Sequence, residues 1–277
     1  MIYLSAEVVS GLGEDTFWTW FKREFPSSSF GTPKHLNDED IVLRYSTLGF
    51  LPIQGKQVAL CWELYPDMKE LFRTDQWDST LERVYQTARY STYRTVATDY
   101  TKKYYQKFGS VETIPIGVNT DLFRPIKNKK ALRKKYGIPL FQKIGIWMGT
   151  VHPMKGYANL LQYSEDNPDI HWIIIWKTPR EAGHMPGANN FTQVSQKVLA
   201  ELFNCADFYL VSGLLRPFFM VEWEAMACNL PMVILNKKSK EFVPSSNPRD
   251  DILRMGWDRK SVKKTWEQFL LERGIKW

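Results

Sequence analysis

The sequence contains few of the residues that build metal centres and disulfide frameworks. Its 277 residues include only three cysteines and four histidines. Cys61, Cys205 and Cys228 show no CxxC spacing and lie in apolar surroundings, which predicts buried thiols rather than disulfides or metal ligands. The histidines form neither an HxH nor an HxxxH pattern, so no metal site is expected.

Long hydrophobic runs, internal repeats and low-complexity segments are also missing. The longest apolar runs, such as residues 172–176, are far too short to span a bilayer. The opening MIYLSAEVV lacks a basic region, so no signal peptide is indicated and a cytoplasmic setting is expected. Hydrophobic residues make up 44% of the chain and charged residues 24%, values typical of a soluble globular protein. The length predicts two domains of ordinary size.

Acidic residues are scarce in the second half of the chain. Residues 1–125 carry 14 Lys and Arg against 16 Asp and Glu, a net charge of −2, whereas residues 126–277 carry 23 against 14, a net charge of +9. A positive domain suits a ligand that carries phosphate groups, and it is also typical of a nucleic-acid surface. Six of the basic residues lie in KNKKALRKK, residues 127–135, which predicts a solvated helix face, with phosphate contact as the alternative.

The stretch ADFYLVSGLLRPFFMVEWEAMACNLPMVIL, residues 206–235, predicts a strand, loop, helix and strand in succession. The apolar run at 208–211 indicates a buried strand, residues 218–228 a helix, and residues 232–235 a second short strand. Pro231 prevents the helix from continuing. In such a unit a ligand normally binds where the loop enters the helix, because unpaired N–H groups and the helix dipole attract an anion there.

The segment EAMACNLPMVI, together with the preceding VSQKVLAELFNCADFYLVS, resembles the signature of retaining glycosyltransferases of family 4. The resemblance implies the GT-B fold, in which two Rossmann-like α/β domains face a cleft and this helix binds a nucleotide-sugar donor. The family has two glutamates separated by seven residues. The second matches Glu224, which the resemblance implies accepts hydrogen bonds from the ribose hydroxyls. The first, which in the family contacts the donor sugar, is replaced by Arg216, so Arg216 is the candidate catalytic residue at this position. The alternative is that Glu222 and Glu224 are solvated first-turn carboxylates that favour the helix dipole.

The start of the second domain extends this resemblance. A predicted strand at 143–148 is followed by GTVHPMKGYANLL, where the family usually has an arginine after the glycine and a lysine five residues later. This pair neutralises the donor diphosphate. Lys155 matches the lysine, and Thr150 replaces the arginine, which leaves a hydroxyl donor but removes a charge. Lys177 and Arg180, after the next predicted strand, could supply that charge.

Further donor contacts are implied by the same resemblance. Four backbone N–H groups at the start of the predicted helix are expected to hold the pyrophosphate without a metal ion: those of Phe218, Phe219, Met220 and Val221. The loop that contains Phe191, Thr192 and Gln193 corresponds to the nucleobase loop. A UDP- or GDP-sugar is the expected substrate, and no cofactor is expected.

The first domain is expected to face the acceptor. Gly11 and Gly13, after a predicted strand at 2–9, resemble the family's glycine-containing first loop, although an ordinary strand-to-helix turn fits them equally. Glu63 follows a predicted strand at 57–62, where the family often has a histidine and an aspartate, and it is the candidate catalytic group on the acceptor side. The alternative for Glu63 is a strand-end glutamate that faces water.

Two predicted helices, at 78–90 and 99–108, interleave basic residues with tyrosines. This pattern suits either a grip on a nucleic-acid strand or amphipathic helices whose tyrosines pack inward, and inward packing is favoured. VETIPIGVNTDLFRPI, residues 111–126, resembles the family's interdomain passage. The expected domains are therefore an acceptor-side domain at 1–125, a donor domain at 126–256, and a terminal helix within 257–277 that packs back across the domains.

Two functions remain open from the sequence. The first is a metal-independent, retaining hexosyl- or pentosyltransferase. Short chains of this kind resemble virus-type glycosyltransferases, some of which modify hydroxymethylated bases in DNA, so DNA is one candidate acceptor beside a glycan, a lipid-linked sugar or a protein. The second is a noncatalytic binding module that keeps the fold but lost its chemistry with Arg216 and Thr150.

Overall fold

The computed structural model describes residues 1–5, 13–73, 75–179, 182–215, 217, 219–237, 240 and 242–277, with residues 13–16 as backbone. The chain forms two compact units. The first consists of Met1–Gly117 and Arg259–Trp277, and the second of Val118–Asp258. The sequence prediction had placed the first boundary near residue 125. The chain therefore leaves the first unit once and returns to it for its final helix.

The first unit is built on a parallel sheet with the strand order β2-β1-β3-β4-β5-β6. The strands are β1 Ile2–Ser5, β2 Ser29–Phe30, β3 Ile41–Tyr45, β4 Lys56–Leu60, β5 Tyr93–Val96 and β6 Glu112–Thr113. The helices are α1 Gly13–Glu24, α2 Tyr65–Phe72, α3 Asp78–Tyr90 and α4 Lys102–Tyr105, with single 3-10 turns at Ser46–Leu48, Asp99–Thr101 and Gln106–Phe108. The central strands β3 and β4 are mostly buried on both faces, which their apolar runs IVL and VAL permit.

The second unit holds another parallel sheet, with the strand order β11-β10-β7-β8-β9. Its strands are β7 Lys143–Gly149, β8 Ile170–Trp176, β9 Asn189–Thr192, β10 Phe208–Val211 and β11 Met232–Ile234. Its helices are α5 Lys129–Lys135, α6 Tyr157–Glu165, α7 Gln196–Cys205, α8 Met220–Ala227 and α9 Pro248–Arg254, with a 3-10 turn at Pro153–Lys155. The chain lays β8 and β9 on one side of β7 and then β10 and β11 on the other. The carboxyl ends of β7 and β10 therefore flank the point at which ligands bind in open α/β sheets.

The final helix, α10 Arg259–Leu271, completes the core of the first unit. Trp266, Phe269 and Leu270 are buried in the cluster that also contains α1, and the Trp266 ring meets the Phe21 ring edge-on at 5.4 Å between centroids. These three side chains lie on one face of the helix, and this face packs into the core of the first unit. Burial of these three large side chains stabilises the fold of the first unit by on the order of several kcal/mol, because each of them is removed from water.

The segments that differ most from the sequence prediction depend on tertiary contacts. Part of the loop expected to contain Phe191 and Thr192 is strand β9, which forms because it pairs in parallel with β8. Helix α7 begins at Gln196, because the Ser195 hydroxyl accepts the Val198 N–H at 3.3 Å and caps it. The predicted helix at 99–108 is a single α-helical turn between two 3-10 turns.

Some basic residues of both units contact aromatic or acidic groups of the same chain. In the first unit, Tyr105 is fully buried, as inward packing predicted, and the Lys103 ammonium lies 4.4 Å from the Tyr100 ring centroid. In α5, Lys130 and Lys134 are exposed, as a solvated helix face predicts, whereas Arg133 is buried and its Nη2 lies 2.8 Å from the Asp207 carboxylate. The three cysteines are free and buried, which confirms the prediction for them.

Candidate functional site

Two loops lock together at the carboxyl edge of the second sheet, one after β7 and one after β10. Gly156 has a positive φ of 69°, and a Cβ at this position would lie 2.0 Å from the Ser212 carbonyl oxygen. The Ser212 hydroxyl donates to the Lys155 carbonyl at 3.1 Å, and the Asn159 side-chain amide donates to the Ser212 carbonyl at 3.1 Å. Only glycine allows this backbone approach. The contact fixes where the neighbouring Lys155 side chain begins.

The Lys155 ammonium is the central charged group of these loops. It lies 3.0 Å from the centroid of the Phe219 ring, a cation–π contact. Burial lowers the pKa of Lys155 to about 7, opposed by the Glu222 carboxylate and assisted by repulsion from Lys177 and Lys240. A lysine in this state can take up a proton when an anion arrives.

Helix α8 begins beside this lysine and is capped by its own glutamate. Glu222 is 3% exposed, and its carboxylate accepts the Phe219 N–H at 2.7 Å. Burial raises the pKa of Glu222, and Lys240 is the strongest influence in the opposite direction. The N–H groups of Met220 and Val221 lie in the first turn, whose donors find no partner within the helix itself. Of the four predicted backbone donors, Phe219 is thus already used by Glu222.

Glu224 lies one half-turn further along α8 and is only 9% exposed. The pKa of the Cys228 thiol is raised to about 12, mainly by burial, and the charge of Glu224 contributes to this shift. Neither Glu222 nor Glu224 is therefore a solvated surface carboxylate, which removes the simpler of the two sequence interpretations.

A further lysine enters the site that the sequence did not single out. Lys240 is 8% exposed, and its ammonium donates to the Leu215 carbonyl at 2.7 Å. Its charge acts on both Lys155 and Glu222. In the sequence it is one of three lysines in the polar segment NKKSKEF, and no local pattern distinguishes the one that becomes buried.

Thr150, Lys177 and Thr192 lie at the same edge of the sheet but in different surroundings. Thr150 is buried, and its carbonyl accepts the His152 N–H at 2.7 Å. Lys177 is exposed, its N–H donates to the Gly149 carbonyl at 3.1 Å, and its charge reaches Lys155. Thr192 is exposed at the end of β9, two strands from β7, about 10 Å away at the usual strand spacing.

Some predicted site residues cannot be placed in this geometry. Gly11, Arg216, Phe218 and the auxiliary Arg180 lie outside the described residues. Gly13 is described as the first residue of α1.

Glu63 belongs to the first unit and follows β4. Its carboxylate accepts the Ser46 hydroxyl at 2.6 Å and the Thr47 hydroxyl at 3.3 Å. The Thr47 N–H approaches it at 3.4 Å. Glu63 is thus an anchored, partly buried carboxylate rather than a strand-end glutamate that only faces water.

Two kinds of feature are absent from the described residues. No cluster of His, Cys, Asp or Glu there could hold a metal ion. Among the helices described, none combines the length and the hydropathy that a bilayer crossing requires.

Comparison with known proteins adds relatives over part of the sequence. No protein-family model matches the chain. D-inositol 3-phosphate glycosyltransferases of Mycobacterium bovis and Mycobacterium tuberculosis are 25% identical to it over 137 residues. The match covers 44% of this chain and 28% of the mycobacterial proteins. The chain therefore spans less than a third of the length of the curated relatives that it matches.

Solved structures match the chain over nearly all its length. WaaG, a glycosyltransferase involved in lipopolysaccharide biosynthesis, has a TM-score of 0.61 and 13% identity, with 99% of this chain and 95% of that one covered. Sucrose-phosphate synthase from Thermosynechococcus elongatus has a TM-score of 0.59 and 16% identity, covering 98% and 80%. The chain has the GT-B fold. The fold class predicted from the sequence is thereby confirmed, since the two parallel sheets are the two Rossmann-like halves of a GT-B protein.

A third GT-B neighbour is solved with ligands. Anabaena HepE, in complex with UDP-glucose, has a TM-score of 0.56 and 10% identity, covering 99% of this chain and 95% of that one. At these identities the likeness establishes the fold. The assignment of chemistry depends on the residues described above.

Proposed function

We propose that the chain is a glycosyltransferase that binds a nucleotide-sugar donor between the loops after β7 and β10. The observation that carries the proposal is the partly buried Lys155 ammonium beside the start of α8. A positive side chain and first-turn N–H groups converge there, which is the usual construction of a diphosphate site. The GT-B fold and the HepE complex with UDP-glucose support the ligand class.

The charges of the site suit a diphosphate without a bridging metal ion. The three lysines of the site, Lys155, Lys177 and Lys240, outnumber its two buried carboxylates, Glu222 and Glu224. This excess of basic groups favours the binding of a nucleotide-sugar pyrophosphate. Lys240 would thereby restore the charge lost where Thr150 replaces an arginine. These groups would stabilise the diphosphate as it leaves the sugar.

The residues around the diphosphate are assigned by position and by the family resemblance. Glu224, buried on α8, would accept the ribose hydroxyls, and Thr192 would border the nucleobase. Retention of configuration follows from the resemblance of the α8 segment to retaining enzymes. On the acceptor side, Glu63 would orient the attacking hydroxyl, with its carboxylate held by Ser46 and Thr47. Hexosyl and pentosyl donors both satisfy this arrangement.

DNA bearing hydroxymethylated bases stays one proposed acceptor, together with the virus-type and cytoplasmic settings expected from the sequence. The excess positive charge of residues 126–277 supports a polyanion. The tyrosine-rich helices of the first unit do not, since Lys103 is held by Tyr100 and by Glu70 at 3.1 Å. Assays of sugar transfer to hydroxymethylpyrimidine DNA at low and high salt decide the matter. Transfer to a simple saccharide but not to DNA at low salt would remove DNA.

The donor proposal is tested by hydrolysis and binding of UDP-, GDP- and ADP-sugars. Lys155→Ala should reduce both donor affinity and turnover at least tenfold, because it removes a charge-assisted contact. Lys264→Ala, at an exposed position of α10, is the matched control and should behave as the unaltered chain. EDTA should leave turnover unchanged.

Three results would count against this function. Full activity of Lys155→Ala would remove the lysine from the donor site, and loss of wild-type activity in EDTA would contradict metal independence. Binding of a nucleotide sugar without hydrolysis or transfer, across the panel, would favour the noncatalytic binding module.

A further inference from the structure

Helix α5 and the loop before β7 form a surface that the donor site does not use. The sequence between Leu122 and Ser164 contains nine Lys and Arg and no acidic residue. Three of these cations are neutralised by the neighbouring elements: Lys129 and Arg133 pair with Asp207, and Lys135 pairs with Glu201. The other two basic residues of α5, Lys130 and Lys134, are exposed.

Three lysines in or just before α5 carry the positive charge that remains. Lys127, Lys130 and Lys134 are exposed, and none forms an ion pair with a residue that the structure describes. Lys130 and Lys134 are four residues apart in α5 and share one face, with Lys127 just before the helix. Because no acidic residue in the described part of the chain pairs with them, they produce a local positive potential.

Beside these lysines a phenylalanine is held in water. Phe141 is 90% exposed, more than any other large hydrophobic side chain in the described chain. Its position is not a loose one, because the buried Arg133 guanidinium donates to the carbonyls on either side of it, of Leu140 at 3.1 Å and of Gln142 at 3.2 Å. The loop is thus pinned to the end of α5 with the ring directed outward. The Phe141 ring is therefore an exposed hydrophobic group whose position is fixed by its loop.

We propose that Lys127, Lys130, Lys134 and Phe141 form a docking surface for an anionic lipid bilayer. Lysines at a membrane surface are attracted by acidic headgroups, and an aromatic side chain can insert at the boundary between headgroups and acyl chains. The lysines lie on or just before α5, and the phenylalanine lies on the loop that Arg133 of α5 holds in place. The chemistry of the surface matches that of an acidic lipid interface, positive charge around a single apolar projection.

A nucleic acid fits the same charges less well. Single strands are bound by grooves in which several aromatic rings stack on successive bases. Here one phenylalanine projects from a helix face, and Lys143, the next cation along, starts a strand that pairs with residues following Asp169. The negative charge of Asp169 limits the positive surface on that side, so Lys143 is not included in the proposed docking surface.

Docking here would leave the donor site accessible. Strand β7 runs from Lys143 to Gly149, so Phe141 lies before its start and Lys155 lies after its end. A strand of this length separates the two by about 20 Å. The second unit could thus rest on a bilayer by one edge of its sheet while the opposite edge binds a ligand. The proposal does not depend on glycosyl transfer.

The test is co-sedimentation of the intact chain with extruded vesicles. We expect binding to vesicles that contain phosphatidylglycerol, little binding to pure phosphatidylcholine, and loss of binding as KCl is raised. Lys130→Gln with Lys134→Gln should lower the partition constant roughly 25-fold, at about fivefold for each lysine. Phe141→Ser should lower it about tenfold and leave the salt dependence unchanged.

Matched controls lie in the first unit. Lys264→Gln with Lys276→Gln removes the same charge from exposed positions, and Leu271→Ser removes a side chain that is 69% exposed. Both should bind vesicles as the unaltered chain does, and thermal unfolding should be the same for all variants. Equal losses in the controls, binding that ignores lipid charge, or binding to a DNA oligonucleotide without binding to acidic vesicles would overturn the proposal.

Discussion

The depressed pKa of Lys155 predicts how donor binding depends on pH. With a pKa of about 7 in the empty site, half of the molecules carry a neutral amine at neutral pH. A diphosphate binds the ammonium form, so the bound state should hold the proton to much higher pH. The apparent dissociation constant for a nucleotide sugar should then rise about 50-fold between pH 7 and pH 9, because the protonated fraction falls from a half to about one hundredth.

The same pKa shift acts on stability with the opposite sign. The pKa of Lys155 lies below its ordinary value of 10.5, so the unfolded chain binds more protons than the folded chain between about pH 7 and pH 10.5. In that window this lysine makes the ligand-free fold more stable as the pH rises, while donor affinity falls. Opposite trends distinguish the lysine from a general loss of folding at high pH.

Isothermal titration calorimetry with UDP-glucose, from pH 6 to pH 9, measures the effect directly. In buffers with different ionisation enthalpies, binding at pH 8 should take up about 0.9 proton. Lys155→Arg keeps its charge throughout this range and should bind with little pH dependence, and Lys155→Met should bind weakly and equally at every pH. His152→Asn is a further control, because histidine is the side-chain type that ordinarily titrates near neutral pH.

Two results would refute this reasoning. One is a wild-type affinity that stays constant across the range. The other is a slope in Lys155→Arg equal to that of the unaltered chain, which would assign the titration to another group such as the buried Glu222.

Three other substitutions test the site. Glu224→Gln should weaken donor binding by about 1–3 kcal/mol with little change in thermal unfolding, whereas a loss of stability at unchanged affinity would make Glu224 structural. Gly156→Ala should lower the free energy of unfolding by about 3 kcal/mol or more, because its Cβ would lie 2.0 Å from a carbonyl oxygen. Gly187→Ala, at a φ of 74° with no atom within 4 Å, should cost only about 1 kcal/mol, and equal losses would contradict the steric argument. Lys240→Met should cost about 1–3 kcal/mol in urea denaturation, since the Leu215 carbonyl loses its donor, and should weaken donor binding; a fully stable, tightly binding variant would exclude Lys240.

Much of the second unit could be predicted because its signals are local. The apolar runs of β7, β8 and β10 indicate buried parallel strands, and Pro231 marks the end of α8. Lys155 is singled out by the family resemblance of GTVHPMKG, and in the structure it follows a strand and precedes the glycine at the start of α6, while its role in binding stays a prediction. Strand β9 was missed because NNFT is polar and forms a strand only through its pairing with β8.

The rest of the candidate site depends on contacts between distant segments. The Ser212 carbonyl that makes Gly156 necessary is more than fifty residues away in the chain, and the turn alone does not reveal it. Lys240 becomes buried because its ammonium reaches the Leu215 carbonyl, which no pattern in NKKSKEF indicates. Sequence spacing identifies which backbone positions face a site, but it does not show which of several similar side chains will be enclosed there.

The buried charges of the site explain why it can be stable while empty and still attract an anion. Burial is the main cause of the lowered pKa of Lys155, repulsion from Lys177 and Lys240 adds to it, and attraction to Glu222 opposes it. In the empty site, loss of a proton from Lys155 removes a buried positive charge at little cost near neutral pH. In the proposed function, an arriving diphosphate would restore the proton and supply the missing negative charge. A fixed arginine at position 150 could not release its proton in this way, because guanidinium stays charged in proteins. We therefore interpret Thr150 and Lys240 together. The permanent charge of an arginine at position 150 is replaced by the charge of Lys240, and Lys155 can respond to that charge by releasing or binding a proton.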